Sequence, residues 1–264
     1  MTFKLAEREN AHRGREIPLE KAKHSIEQFI YSGSDSPERT LIYFREMCKA
    51  VARIHRIKVC HRDLKPGNFL IFPSFEVKLG DFGTAKFLDG SMPDIRLNYP
   101  LPVGDTSYSA PELFCQLGIA DDYAFSADIF SLGAILFEMF TKEVLMNHLY
   151  NQDFIDAIVK LNSILSISPE RYRVDYYLSA IDGITQAATF PEIFSFNDFA
   201  PKCIKGHLDS LYKALTQINM RKRLLNFETI FRRIDICLLT LRNEEKYRKW
   251  LQRKKEMRLS VSQK

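Results

Sequence analysis

Apolar positions recur at three- and four-residue steps in several stretches of the chain, and each stretch predicts a helix. Leu41, Phe44, Cys48, Val51 and Ile54 make one face of a helix running from Pro37 through His55. Ser36 is placed to cap it, and Pro37 suits its first position, where a backbone N–H would lack a partner anyway. An earlier helix is predicted over Leu19 to Ile30, stopped by Ser32-Gly33. From Ser126 to Thr141 the pattern is apolar nearly all round, which predicts a helix buried on every side. Its apolar centre, Ile129 to Phe140, includes Ser131 and Glu138 and is too short to span a bilayer. Further helices are predicted at 152–166, 207–217 and 226–241. Two short apolar runs, Phe69–Phe72 and Glu76–Leu79, flank Pro73-Ser74 and predict a small hairpin. The expected fold is therefore mainly α, helical throughout after one small β-hairpin.

The bulk numbers narrow this picture only slightly. At 264 residues, with 45% hydrophobic and 27% charged positions, the chain suits one globular domain with an ordinary core. Cys48, Cys60, Cys115, Cys203 and Cys237 are scattered, odd in number and form no C-x-x-C, which favours reduced thiols in a cytoplasmic setting. The first ten residues hold no apolar core, so no secretory signal is expected. The net charge of +5 is uneven: residues 242–258 contain eight Lys/Arg against three Glu. A body without a basic surplus argues against a nucleic-acid groove in the folded domain, and the basic run reads as a solvated helix end.

The chemistry-bearing residues lie around the hairpin. His61-Arg62-Asp63-Leu64-Lys65-Pro66-Gly67-Asn68 precedes the first run, and Asp81-Phe82-Gly83 follows the second. Two neighbouring loops would thus present a carboxylate, an ammonium, an amide and a second carboxylate. Hard oxygen ligands, a cation near a moving phosphoryl group and a base for a hydroxyl are what Mg²⁺ with a nucleoside triphosphate requires. Ala110-Pro111-Glu112 follows in order.

These strings resemble those of eukaryotic-type protein kinases, and Leu64-Lys65-Pro66 is similar to the Ser/Thr branch. The resemblance implies a kinase-like second lobe, helical, with its hairpin carrying the catalytic and Asp-Phe-Gly loops. It implies Asp63 as catalytic base, Lys65 beside the γ-phosphate, Asn68 and Asp81 as Mg²⁺ ligands, and Leu70, with Phe69 and Ile71, as the shelf beneath the adenine of ATP. Gly83 would supply backbone freedom for turning Asp81 toward the metal. His61 and Phe82 would belong to the apolar column linking the lobes. Asp128 would hold the catalytic loop, and Glu112 would pair with Arg223 in preference to Arg221. Arg62 marks the subgroup regulated through a phosphate on the following loop, shared with Lys86, with Thr84, Ser91, Thr106, Ser107 and Tyr108 as available acceptors.

Two departures qualify the resemblance. The eleven glycines make no G-x-G-x-x-G, and no lysine-bearing strand precedes the catalytic loop. A first lobe needs roughly 65 residues at average element and loop lengths, whereas a hinge-like segment starts at Arg15. The chain therefore reads as residues 1–16, an N-terminal remnant; 17–241, a kinase domain from hinge through second lobe; and 242–264, a basic tail. Asp105 stands where the family usually has threonine, which would set a second carboxylate near Asp63. The Phe-rich stretch Phe190 to Phe199 suits core packing better than partner docking. The expected function is Ser/Thr phosphorylation of protein substrates with ATP and Mg²⁺, with a partner chain as one possible source of the missing lobe and no membrane span. The alternative is a pseudokinase-like scaffold; a small-molecule phosphotransferase is a weaker third, since Ala-Pro-Glu is rare there.

Overall fold

The computed structural model describes residues 21–33, 36–73, 75–88, 103–115, 117, 121–186, 188–196 and 199–262. Residues 1–16 and most of the hinge-like segment lie outside these. Strand β1 (His24–Ser25) leads into helix α1 (Ile26–Tyr31), followed by α2 (Pro37–Arg56) and strand β2 (Val59–Cys60). Strands β3 (Phe69–Ile71), β4 (Val77–Leu79) and β5 (Lys86–Phe87) come next. The rest is helical: α3 (Pro111–Phe114), α4 (Asp121–Thr141), α5 (Met146–Leu149), α6 (Gln152–Ile167), α7 (Glu170–Thr185), α8 (Lys205–Leu215) and α9 (Phe227–Ser262).

The predicted hairpin is present, with β3 antiparallel to β4 and Phe69 opposite Leu79. On its other edge β1 joins β3, His24 facing Ile71, and the Lys23 N–H donates to the Ile71 carbonyl at 2.8 Å. This edge strand corrects the helix predicted from Leu19. Ser25 accepts from the Gln28 N–H at 3.2 Å while Gln28 Oε1 accepts from the Ser25 N–H at 3.0 Å. That reciprocal cap starts the helix at Ile26 and leaves the preceding backbone for the sheet.

Ser36 and Pro37 begin α2 as expected, the Ser36 hydroxyl accepting from the Arg39 N–H at 3.2 Å. Every residue from Ser126 to Thr141 is buried, so α4 is the axis of the lobe, packed against α2 and α8. Its approach to α8 depends on Gly133, where a Cβ would lie 2.6 Å from Thr216 Cγ2 and 2.7 Å from Leu215 Cβ. The Phe-rich stretch joins the core: the Phe196 ring sits 5.3 Å from Phe137, and Phe199 5.8 Å from Phe140.

Three features differ from the periodicity reading. Helix α7 was not expected, because its Tyr- and charge-rich sequence buries only Tyr177, Leu178 and Ile181. A second small ladder pairs β2 with β5, so the chain after the hairpin is not wholly helical. Helix α9 continues unbroken past residue 241 to Ser262.

Candidate active site

The loop His61–Asn68 leaves β2 and is pinned from below by Asp128 on α4. The fully buried Asp128 carboxylate accepts from the His61 N–H and the Arg62 N–H, each at 2.8 Å. His55 Nε2 lies 2.8 Å from the same carboxylate and must donate to it. Three donors make this buried charge tolerable. They also hold Arg62 in a left-handed conformation at φ 66°, which bends the chain so that Asp63 follows.

The second loop is tied to the first by bonds from side chains to backbone carbonyls. The Thr84 hydroxyl donates to the His61 carbonyl at 3.0 Å, Arg62 Nε donates to the Thr84 carbonyl at 2.6 Å, and His61 Nε2 lies 3.0 Å from the Gly80 carbonyl. The His61 and Phe82 rings meet edge to face at 5.1 Å, as expected of the apolar column. Phe82 is half-exposed and Leu70 is 37% exposed, between the buried Phe69 and Ile71. An apolar shelf is therefore open to solvent beside the loops.

Asp63, Lys65 and Asn68 form one connected set. Asn68 Nδ2 donates to the Asp63 carbonyl at 2.8 Å, which leaves its Oδ1 as the acceptor end of the amide. The Gly80 N–H donates to the Asn68 carbonyl at 2.9 Å, which ties the backbone just before Asp81 to the first loop. Asp81 is exposed and carries φ 56° itself, whereas Gly83 is not in the left-handed region. The expected role of Gly83 is thus corrected: the turn is made at the aspartate. A Cβ at position 83 would meet Asp81 Oδ1 at 3.4 Å, an ordinary van der Waals contact, so space alone does not demand glycine there.

Asp105 behaves differently from the expected like-charge neighbour. Its N–H donates to Asp63 Oδ1 at 2.7 Å, and its own Oδ1 accepts from the Ser107 N–H at 3.0 Å. Lys65 Nζ stands 3.5 Å from Asp63 Oδ2 and 3.8 Å from Asp105 Oδ2, so a cation lies between the two carboxylates. Gly104 makes the approach possible: at φ 88°, a Cβ there would lie 2.4 Å from the Arg62 carbonyl oxygen.

Glu112 is bidentate to Arg223, as preferred over Arg221, with Nη2 at 2.8 Å from Oε2 and both side chains buried. Glu138 was visible in the sequence only as an ionisable residue inside an apolar helix. Its two oxygens accept from the Tyr31 and Tyr108 hydroxyls, each at 2.7 Å. Burial pushes the Glu138 carboxyl up, against the lowering effect of those two bonds. Burial, then Glu138, raises both phenols. Of the loop hydroxyls considered above, Tyr108 is therefore engaged, Thr84 bonds His61, and Ser91 lies outside the described residues.

Beyond Asp105, a cavity of about 580 Å³ opens beside Thr106 and Ser107, walled by Phe114, Met146, Tyr150 and Phe154.

The protein kinase domain family is matched over residues 15–232. The chain is 40% identical over 122 residues to mitogen-activated protein kinase kinase kinase 5 of Arabidopsis thaliana, covering 44% of this chain and 16% of the plant protein. It is 30% identical over 210 residues to mitogen-activated protein kinase MKC1 of Candida albicans, covering 75% and 38%. With the glycogen synthase kinase-3 homolog YGK3 of Saccharomyces cerevisiae it shares 32% identity over 138 residues, 52% and 35% of the two chains. The chain spans less than half the length of each of these relatives. With most of its length matched, the chain belongs to the eukaryotic-type protein kinase family.

Proposed function

We propose that this chain is the second lobe of a Ser/Thr protein kinase that transfers the γ-phosphoryl group of ATP to protein hydroxyls. The observation that carries the reading is the connected set of Asp63, Lys65 and Asn68, with Asp81 on the adjoining loop. In this reading the kinase domain runs from the hinge near 17 to 241, and a first lobe, on the same polypeptide or another, covers the nucleotide.

The donor set suits Mg²⁺. Asn68 Oδ1 and the Asp81 carboxylate are hard oxygens, and among the described residues no cluster of three or more His, Cys, Asp or Glu forms an all-protein metal cage. Mg²⁺ is usually held by one or two protein oxygens together with substrate phosphates. When bound, the metal supplies charge neutralisation for the phosphates. Asp63 then orients a substrate hydroxyl and takes its proton, its carboxylate steadied by the Asp105 N–H. Lys65 offsets negative charge on the moving phosphoryl. Leu70 offers the adenine an apolar floor. The cavity beside Thr106 and Ser107 suits the polypeptide around the acceptor hydroxyl. Five free cysteines are consistent with a cytoplasmic setting.

A second reading, a non-catalytic kinase-like scaffold, is favoured by one contact: Lys65 is shared between two carboxylates, which partly neutralises it. One experiment separates the two. Calorimetry with Mg-ATP and a radiolabel transfer assay are run on residues 1–264 alone and on the chain joined to a complete kinase first lobe. The catalytic reading expects weak binding and negligible transfer from the chain alone, and transfer abolished by Asp63→Asn in the joined form. Nucleotide binding without transfer in the joined form would establish the scaffold.

A further inference from the structure

The last part of α9 does not share the role of its beginning. Ile230, Ile234 and Cys237 are fully buried, whereas every residue from Glu245 to Trp250 is exposed. Arg242 still reaches back to Glu38 at 2.7 Å. Residues 242–258 hold eight Lys/Arg and three Glu, so this segment carries a charge equal to the whole formal surplus of +5. Two of the three acids are spent inside the helix, Glu244 on Arg248 at 3.0 Å and Glu245 on Lys249. Among these charges sit two large amphipathic rings: Tyr247 is 58% exposed and Trp250 52%. One turn apart on the same side, they stack on each other with centroids 5.9 Å apart and planes at 20°.

We propose that this arm of α9 lies on an anionic lipid surface, its cations against charged headgroups and Tyr247 and Trp250 at headgroup depth. Charge complementarity selects an anionic partner, because Lys/Arg clusters on a helix are drawn to negatively charged leaflets. The aromatic pair selects the lipid surface among anionic partners. Tyr and Trp concentrate at membrane interfaces, where an apolar body and a polar tip are both accommodated. A single-stranded nucleic acid would also use exposed rings as stacking platforms, and the oligonucleotide comparison below separates that partner from a lipid surface. Among the described residues no helix is long and apolar enough to cross a membrane.

Trp250 is the only tryptophan of the chain, so its emission reports this contact directly. Purified 1–264 is titrated with vesicles of phosphatidylcholine alone and of phosphatidylcholine with phosphatidylserine, with co-sedimentation as the second readout. The expected result is a blue shift and co-sedimentation with the anionic vesicles only, reversed by raised salt. Lys246→Glu with Arg253→Glu should weaken partitioning about tenfold or more, with an unchanged melting curve. Trp250→Ser should weaken it by co-sedimentation while salt dependence persists. No association, equal association with neutral vesicles, or tighter binding to a single-stranded oligonucleotide than to anionic vesicles at the same salt would each overturn the proposal.

Discussion

The main-chain N–H of Asp105 donates to the carboxylate of Asp63 at 2.7 Å, across 42 residues of sequence. A side chain thought to repel the proposed base thus belongs to a residue whose backbone steadies it. Since the donor is a main-chain group, Asp105→Thr should keep this bond and free Lys65 from one of its two carboxylates. In a form with a complete first lobe, we expect phosphotransfer to change modestly with Asp105→Thr. Asp63→Asn should lower kcat by about 10²–10⁴-fold at an unchanged melting temperature. Wild-type turnover in Asp63→Asn would remove Asp63 from the reaction.

Asp128→Ala should destabilise the lobe. It strips the His61 and Arg62 N–H groups and the His55 ring of their acceptor in a buried place. A loss of about 1–3 kcal/mol is expected in urea unfolding. A surface-like change within about 0.5 kcal/mol would mean the loop is not held by this aspartate.

Glu112 and Arg223 are both fully buried at the side chain. Removing one charge leaves the other unpaired, so Glu112→Gln or Arg223→Met alone should cost about 3–5 kcal/mol. The double change Glu112→Leu with Arg223→Met should recover much of that loss. Additive losses in a double-mutant cycle would show that the two are uncoupled.

Glu138 gives the lobe a pH signature. Its folded carboxyl is raised by burial, so between the ordinary carboxylate value of about 4.3 and the higher folded value the native state binds the extra proton. Stability from this group is therefore complete below the unfolded value and is lost as pH rises through the folded one. Glu138→Gln lacks the titration, so wild type should lose stability relative to the variant as pH rises above about 4.3. A gain of wild-type stability relative to the variant over that range, in urea unfolding at stepped pH, would reverse the assignment.

The thiols report on the core. Burial pushes Cys60 and Cys115 up to about 12 and Cys237 to about 11, and raises Cys48 as well. Of the five, Cys203 is half-buried and the other four are buried. Ellman's reagent at mildly alkaline pH should modify Cys203 first, and the others only as fast as the lobe opens. Rapid modification of all five would show a loosened core.

What the chain by itself determined is whatever depends on short spacing and on burial pattern. The cap Ser36-Pro37, the all-apolar turns of α4 and the hairpin between the two loops are local decisions of capping, periodicity and β propensity, and each stands where it was expected. The order of Asp63, Lys65, Asn68 and Asp81 is equally a property of the linear chain, and the spacing that places them on adjoining loops survives folding. Tertiary structure decided the rest, because the partners are remote in sequence. Lys23 and Ser25 turned from helix to sheet edge because β3 offered an unpaired edge nearly fifty residues on. Glu138 is tolerated in the core only because two tyrosines, one of them 107 residues away, converge on its oxygens. Lys65 stands between Asp63 and Asp105 because Gly104 lets its backbone close on the Arg62 carbonyl. Spacing along a chain specifies which groups are offered; only packing specifies which donor reaches which acceptor.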